Sequence, residues 1–424
     1  MSDTFCSYPW KHLYIGTTGH TKVCCLSDEH VVKNDGYFQY NLSNDSVLDG
    51  WNNEYMQNVR KKMLSGERLK ICKRCYDNED QGLTSMRAKE DYDYYKKNTE
   101  NGITPLLPSN FELHFGNVCN LSCKMCSQQF SHKVGQELLK IGKEDADFLK
   151  WVKKESGIVN NWTGELNVVY DWFRNQKTKI KIFNFVNEHV NDLMVIGGEP
   201  TAITEFYELL EFCYEKNTLK DKKITMVTNC TNTNNKLIKW LEKTKEFNIS
   251  ISIDGLDQRQ EYIRYPSTWT QISKSLDFYI ELARRKKNTS ITLFPTIQIL
   301  NIDQLCDLII FFEDKFYNEK INFSICWTLK LISPVIFDYE FAPKDYREYV
   351  AKKLSQEIKK IKNEESKKQI QAHINLLSNT KKITDPNILR SFIRYNDKQD
   401  SFRKTTSWRK ILPNLEKSIT NFLN

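Results

Sequence analysis

Between residues 111 and 327, short runs of apolar or alternating residues recur, each separated from the next by a helix-length amphipathic stretch. Such runs predict strands, and helical spacers between them predict parallel βα units. The predicted strands are 111–116 (FELHFG), 193–198 (LMVIGG), 223–229 (KITMVTN), 248–254 (NISISID), 291–300 (ITLFPTIQIL) and 321–327 (INFSICW). Six strands fall short of the eight that close a barrel. The reading is therefore α/β, a partial and open (β/α)6 TIM-like barrel over residues 108–340. Residues 135–190, between the first two strands, exceed one crossover helix and predict a helical insertion. Residues 1–90 form a small Cys-rich domain with a hairpin-like stretch and one helix in LDGWNNEYMQNVRKKMLSG. A turn-rich TPLLPSN marks the boundary to the core, and 341–424 return to a helical pattern as a C-terminal extension.

Strand parity sharpens this. Alternate residues of a strand face opposite sides. Ser250, Ser252 and Asp254 share one face while Ile249, Ile251 and Ile253 share the other. Asn322, Ser324 and Cys326 oppose Ile321, Phe323, Ile325 and Trp327; Thr292, Thr296 and Gln298 oppose Ile291, Leu293 and Ile297, with Phe294 out of pattern. Glu112 and His114 oppose Phe111, Leu113 and Phe115. With helices on the apolar face, the polar face lines the inside. Closed barrels fill their interior with bulky branched residues, so a polar inner face predicts an open lumen for polar ligands.

Composition places the chain among globular proteins: 424 residues, 40% hydrophobic and 27% charged. No apolar run approaches the roughly 18–20 residues of a membrane span, and MSDTFCSYPW lacks the pattern of a signal peptide. The expected location is cytoplasmic, where clustered cysteines hold metal more often than they pair. Eight of the twelve cysteines fall within the first 126 residues. The formal charge is +8, and 343–424 alone carry 19 Lys/Arg against 9 Asp/Glu. A basic extension can meet nucleic acid or an acidic partner; the plainer reading is a solvated Lys-rich helical surface.

The stretch FGNVCNLSCKMCSQQ carries Cys119, Cys123 and Cys126 directly after the first strand. Three is too few for a closed structural metal site and too many for a disulfide. A [4Fe–4S] cube has four irons, each needing one ligand beyond its sulfides. Three thiolates leave one iron open, and an amine with a carboxylate can chelate it. S-adenosylmethionine (SAM) presents that pair.

CxxxCxxC after a strand, with Met125 before the last cysteine, resembles the radical SAM superfamily. VIGGEP at 195–200 resembles that family's GGE motif, with Gly197, Gly198, Glu199 and Pro200 beside the cofactor. SISIDG resembles its ribose-contacting fourth strand, with Ser252 and Asp254 on the lumen face. VTNCTNT resembles its third-strand turn, with Asn229 and with Cys230 in place of a glycine. Arg264, in DQRQEYIRYPSTW, resembles an arginine that contacts SAM in some relatives. The resemblance implies a SAM-binding [4Fe–4S] cluster on Cys119, Cys123 and Cys126, with Met125 against the adenine and Glu199 toward the SAM ammonium. It implies one-electron cleavage of SAM and hydrogen abstraction by a 5′-deoxyadenosyl radical. It also implies an electron donor such as flavodoxin or ferredoxin.

Cys6, twelve residues, Gly19, four residues and Cys24 are followed by the Cys72-x-x-Cys75 pair. Four thiolates suit zinc or iron–sulfur alike. The spacing resembles the SPASM or twitch auxiliary-cluster domain, which implies a second [4Fe–4S] cluster on Cys6, Cys24, Cys72 and Cys75. That domain more commonly follows the core, whereas here it precedes it. Cys24 fits the spacing better than Cys25.

Cys213 and Cys306 sit in helical patterns as core residues. Arg264, Cys230 and Cys326 are the candidate catalytic side chains. The substrate is expected to be a small polar metabolite, with a peptide as the alternative. A zinc module binding nucleic acid leaves the three loop cysteines, GGEP and SISIDG unexplained. The insertion and the extension are expected to help roof the lumen.

Overall fold

The computed structural model describes residues 4–424 except 37, 157–158, 160–165, 167, 234, 318, 320 and 380–382. Eight strands form one open sheet: β1 (His12–Ile15), β2 (Thr21–Lys22), β3 (Asn110–His114), β4 (Asp192–Ile196), β5 (Lys223–Thr228), β6 (Glu246–Ile251), β7 (Thr289–Leu293) and β8 (Asn322–Ile325). Their order is β2-β1-β3-β4-β5-β6-β7-β8. From β3 to β8 every neighbouring pair is parallel, and β8 is not paired back to close a barrel. All six sequence-predicted strands are present as β3 to β8.

The hairpin of β1 and β2 does not stand apart. β1 runs parallel to β3, with His12 opposite Asn110 and Ile15 opposite Leu113, and β2 folds back antiparallel on β1. The N-terminal segment thus covers the edge of β3 that a six-stranded core would leave open. Helix α1 (Glu54–Leu64) starts where the Asn53 side chain accepts from Met56 N at 3.0 Å. It is pinned by the buried Arg60, which donates to the carbonyls of Pro9, Trp51 and Gly102 at 2.8, 2.7 and 3.1 Å.

Helices α2 (His132–Glu144), α3 (Ala146–Lys154) and α4 (Gln176–His189) occupy the long interval before β4. Part of the predicted insertion lies outside the described residues. The later crossovers are α5 (Thr204–Glu215), α6 (Asn235–Leu241), α7 (Asp257–Ile263) with α8 (Trp269–Arg285), and α9 (Leu305–Tyr317). The C-terminal segment adds α10 (Lys344–Glu357), α11 (Glu364–Leu377), α12 (Pro386–Arg403) and α13 (Pro413–Leu423). These helices are amphipathic, and their apolar sides share one core with the apolar face of the sheet. Ile249, Ile251, Ile253, Leu113 and Leu293 are fully buried on that side. Among the described residues no helix is long and apolar enough to cross a membrane.

Candidate active site

The cysteine loop is held by its own backbone and by one buried amide. Asn117 donates to the carbonyls of Gln128 and Val168, both at 2.9 Å, and accepts from Tyr170 N at 3.0 Å. The loop is thereby tied to the insertion. Ser131 Oγ donates to Leu121 O at 2.6 Å. On the far side, Ser122 N donates to Tyr265 O at 2.7 Å and Lys124 N to Ile263 O at 2.8 Å. Motif matching overlooks Asn117; an amide two residues before the first cysteine, just after a turn glycine, is its only trace.

Cys119, Cys123 and Cys126 line a cavity of about 700 Å³ at the ends where the strands finish. His114, Met125, Gly197, Gly198, Thr228, Asn229, Ser252 and Arg264 share its walls. Phe294, which broke the alternation of its strand, lines it with Thr296, and Val159 joins from the insertion. Among the described residues nothing of 341–424 lines the cavity. The described part of the extension therefore does not line the lumen; it meets the cysteine loop from behind, where Lys124 donates to Asp400 Oδ1 at 2.6 Å. Burial raises the Cys119 thiol to about 12, with Cys123 adding to it. Burial also raises Cys123, against the pull of Arg264 and Arg403, and Cys126.

Several predicted contacts lie behind the cavity wall. Glu199 is buried, and its carboxylate accepts from Thr201 Oγ1 and Thr228 Oγ1, both at 2.7 Å, from Thr201 N at 3.2 Å and from Asn229 N at 2.7 Å. It ties the β4 and β5 turns together, with three of the four bonds on Oε1 and that from Asn229 N alone on Oε2. Asp254 is fully buried, accepting from Arg264 Nε and Thr296 N, both at 2.7 Å. It orients Arg264, which itself reaches the wall. Pro200 is buried at the start of a 3-10 turn. Cys230 is fully buried with φ of +60° and its sulfur toward Ile272 O, so it is a core thiol and not a catalytic one. Cys326 pairs with Thr328 Oγ1 at 3.1 Å and is not among the cavity residues. Cys213 and Cys306 are buried in the core.

The cradle suits an iron–sulfur cluster with SAM. Leu121 N points at Cys119 Sγ at 3.5 Å, and Asn229 Nδ2 lies 3.9 Å from it. Donors aimed at a thiolate are what tune such clusters. Gly198 has φ of +57°, and a Cβ there would meet Val118 O at 2.0 Å, so a glycine is needed where the β4 turn meets the cysteine loop. Among the described residues no three His, Cys, Asp or Glu side chains gather tightly enough for a single metal ion. A cluster with one thiolate per iron spreads its ligands wider.

A second set of thiols gathers in the N-terminal segment. Cys6, Cys24, Cys72 and Cys75 line one small pocket with Tyr8, Met63 and Arg87. Burial raises Cys24 well above the ordinary thiol range, with Cys6, Cys72 and Cys75 adding to it. Cys25 turns away: burial raises it too, but the next cause is the Glu112 carboxylate. Glu112 is buried in the middle of β3. It accepts from His114 Nε2 at 3.2 Å, and His12 Nε2 stands 3.6 Å from its other oxygen.

Comparison with known proteins agrees with this geometry. Residues 113–309 match the radical SAM superfamily, and residues 6–76 match an iron–sulfur cluster-binding domain of the SPASM type. The chain thus carries a radical SAM domain over residues 113–309 and, N-terminal to it, an SPASM-type iron–sulfur domain. Its cofactors are those of the two domains, a [4Fe–4S] cluster with SAM and auxiliary iron–sulfur. Similar solved structures include Streptococcus suis SuiB bound to S-adenosylmethionine (17% identity, 72% of this chain and 53% of that one, TM-score 0.31). SuiB bound to precursor peptide SuiA follows (16%, 88% and 58%, TM-score 0.30). So does anSMEcpe with bound AdoMet (18%, 58% and 57%, TM-score 0.37). The chain covers 53–58% of the length of these three. None of the curated proteins matches it in sequence.

Proposed function

We propose that the chain is a radical SAM enzyme acting on a small polar metabolite in the 700 Å³ cavity. The observation that carries the reading is one shared wall: the three loop cysteines stand beside Met125, Gly197, Gly198, Asn229 and Ser252. When bound, the cluster and SAM supply reductive cleavage to a 5′-deoxyadenosyl radical and hydrogen abstraction from the substrate. The chain's own residues bind, orient and exclude water. Cys119, Cys123 and Cys126 hold three irons, and Gly198 lets the β4 turn close on the loop. Arg264, fixed by Asp254, presents a cation to the cavity. Cys6, Cys24, Cys72 and Cys75 hold the auxiliary cluster.

Within the cavity, Ser127, Gln129, Asn229, Ser252 and Thr296 offer hydroxyls and amides beside Arg264, the single cation among the described residues there, a lining that supports a small polar substrate. A peptide is the second reading. β8 is an outer strand beside a groove of about 540 Å³ lined by Phe316, Tyr317, Phe323 and Trp327, and an outer strand can accept an extended chain.

The test is anaerobic. Protein reconstituted with iron and sulfide is reduced and given SAM, beside a variant with all three loop cysteines changed to Ala. 5′-Deoxyadenosine from the parent alone is the expected result. A parent that takes up zinc and no iron overturns the reading. Deuterium transfer into the nucleoside from labelled polyols, rather than from labelled peptides, separates the two substrate classes.

A further inference from the structure

The basic C-terminal extension is wedged against the cysteine loop. α12 brings two charged side chains to the residues flanking Cys123. Lys124, 1% exposed, donates to Asp400 Oδ1 at 2.6 Å and lies 4.5 Å over the Tyr262 ring. Asp400 Oδ2 in turn accepts from Trp408 N at 2.7 Å. Arg403 Nη2 donates to Ser122 O at 2.6 Å and to Glu137 Oε1 at 2.8 Å, while its guanidinium lies 4.6 Å over the Tyr265 ring. Among the described residues its Nη1 is buried without a hydrogen-bond partner.

The residues flanking Cys123 are thus held twice, through their backbone N–H by the end of α7 and through Ser122 O and Lys124 Nζ by α12. Buried cations act there with little screening. Arg403 and Arg264 are the cations acting on the Cys123 sulfur, and Asp254 the anion.

Building on the cluster assignment above, we propose that Arg403 is a positioning residue that raises the reduction potential of the cluster on Cys119, Cys123 and Cys126, with Asp400 locking the loop beside it. Adding an electron makes the cluster more negative, and a fixed cation favours the added charge. Removing the cation drives the potential down.

The test uses the reconstituted holoenzyme without SAM. Iron per chain and an EPR-monitored redox titration are compared for the parent, Arg403→Gln, Arg403→Lys and Glu137→Gln. The variant with the three loop cysteines changed to Ala identifies auxiliary-cluster signals. In Arg403→Gln at parental iron content, reduction is expected to weaken about tenfold, ~59 mV more negative for one electron. Arg403→Lys recovers most of that shift, and Glu137→Gln moves the potential the other way. If Arg403→Gln loses iron, the Lys and Glu137 variants decide: parental potentials in both overturn the proposal. A parental potential in Arg403→Gln with full iron overturns it alone. A parent with no cluster dependent on the three loop cysteines overturns the assignment beneath it as well.

Discussion

Glu112 is a carboxylate enclosed by protein, and its environment makes a pH prediction. Burial pushes its carboxyl up, but the hydrogen bond from His114 and the nearby His12 outweigh that and hold it at about 2, below its ordinary 4.5. A carboxyl lowered on folding adds stability above its unfolded value, and that stability is lost as pH falls through the folded one. Tyr14, Tyr8, Cys25 and Lys22 also face it. Glu112→Gln should therefore cost a constant amount of unfolding free energy above about pH 5. The difference from the parent should close between pH 4.5 and about 2. Urea unfolding at a series of pH values measures it; a difference that stays constant down to pH 2.5 contradicts the account. Identities at this scale were legible: the cysteine spacing, the GGEP turn, the alternation that put Ser252 on the cavity wall. Partners were not. A motif names Glu199 and Asp254 but cannot say that Thr201, Thr228, Asn229 and Arg264 already occupy their oxygens.

Between elements, the contact of the β4 turn with the cysteine loop has no slack. Glu199 N donates to Val118 O at 2.8 Å, the oxygen that a Cβ on Gly198 would strike. Gly198→Ala must part the two turns, and an incompatible backbone position costs more than about 1 kcal/mol. A lower Tm and less iron per chain are expected after reconstitution. A variant matching the parent in both would show that the turns can separate freely. The strands themselves could be read from period-two alternation, because each is a local pattern. The clamp of α12 on the loop could not. Lys124 and Asp400 are 276 positions apart, and a Lys-rich amphipathic helix reads the same whether its charges meet water or a buried partner.

Over the whole molecule, the sheet crosses the boundary that composition places between residues 90 and 108. β1 pairs with β3 through four residues of register, a non-local pairing that no local pattern announces. A chain trimmed to residues 108–424 would bare the edge of β3, and a bare strand edge recruits other chains. Such a chain is expected to elute as aggregate in size-exclusion chromatography, where the full chain gives a discrete peak. A monodisperse trimmed core would show that β1 is dispensable.

That shared ladder has a further effect. Cys6 precedes β1 and shares one pocket with Cys24, Cys72 and Cys75, and the loop thiols lie just past the end of β3. A five-residue strand is roughly 17 Å long at about 3.3 Å per residue. The spacing between the two thiol sets is accordingly written in hydrogen bonds, like marks on one stiff rule. If both sets hold clusters as proposed, the distance between them is set by the sheet rather than by the helices around it.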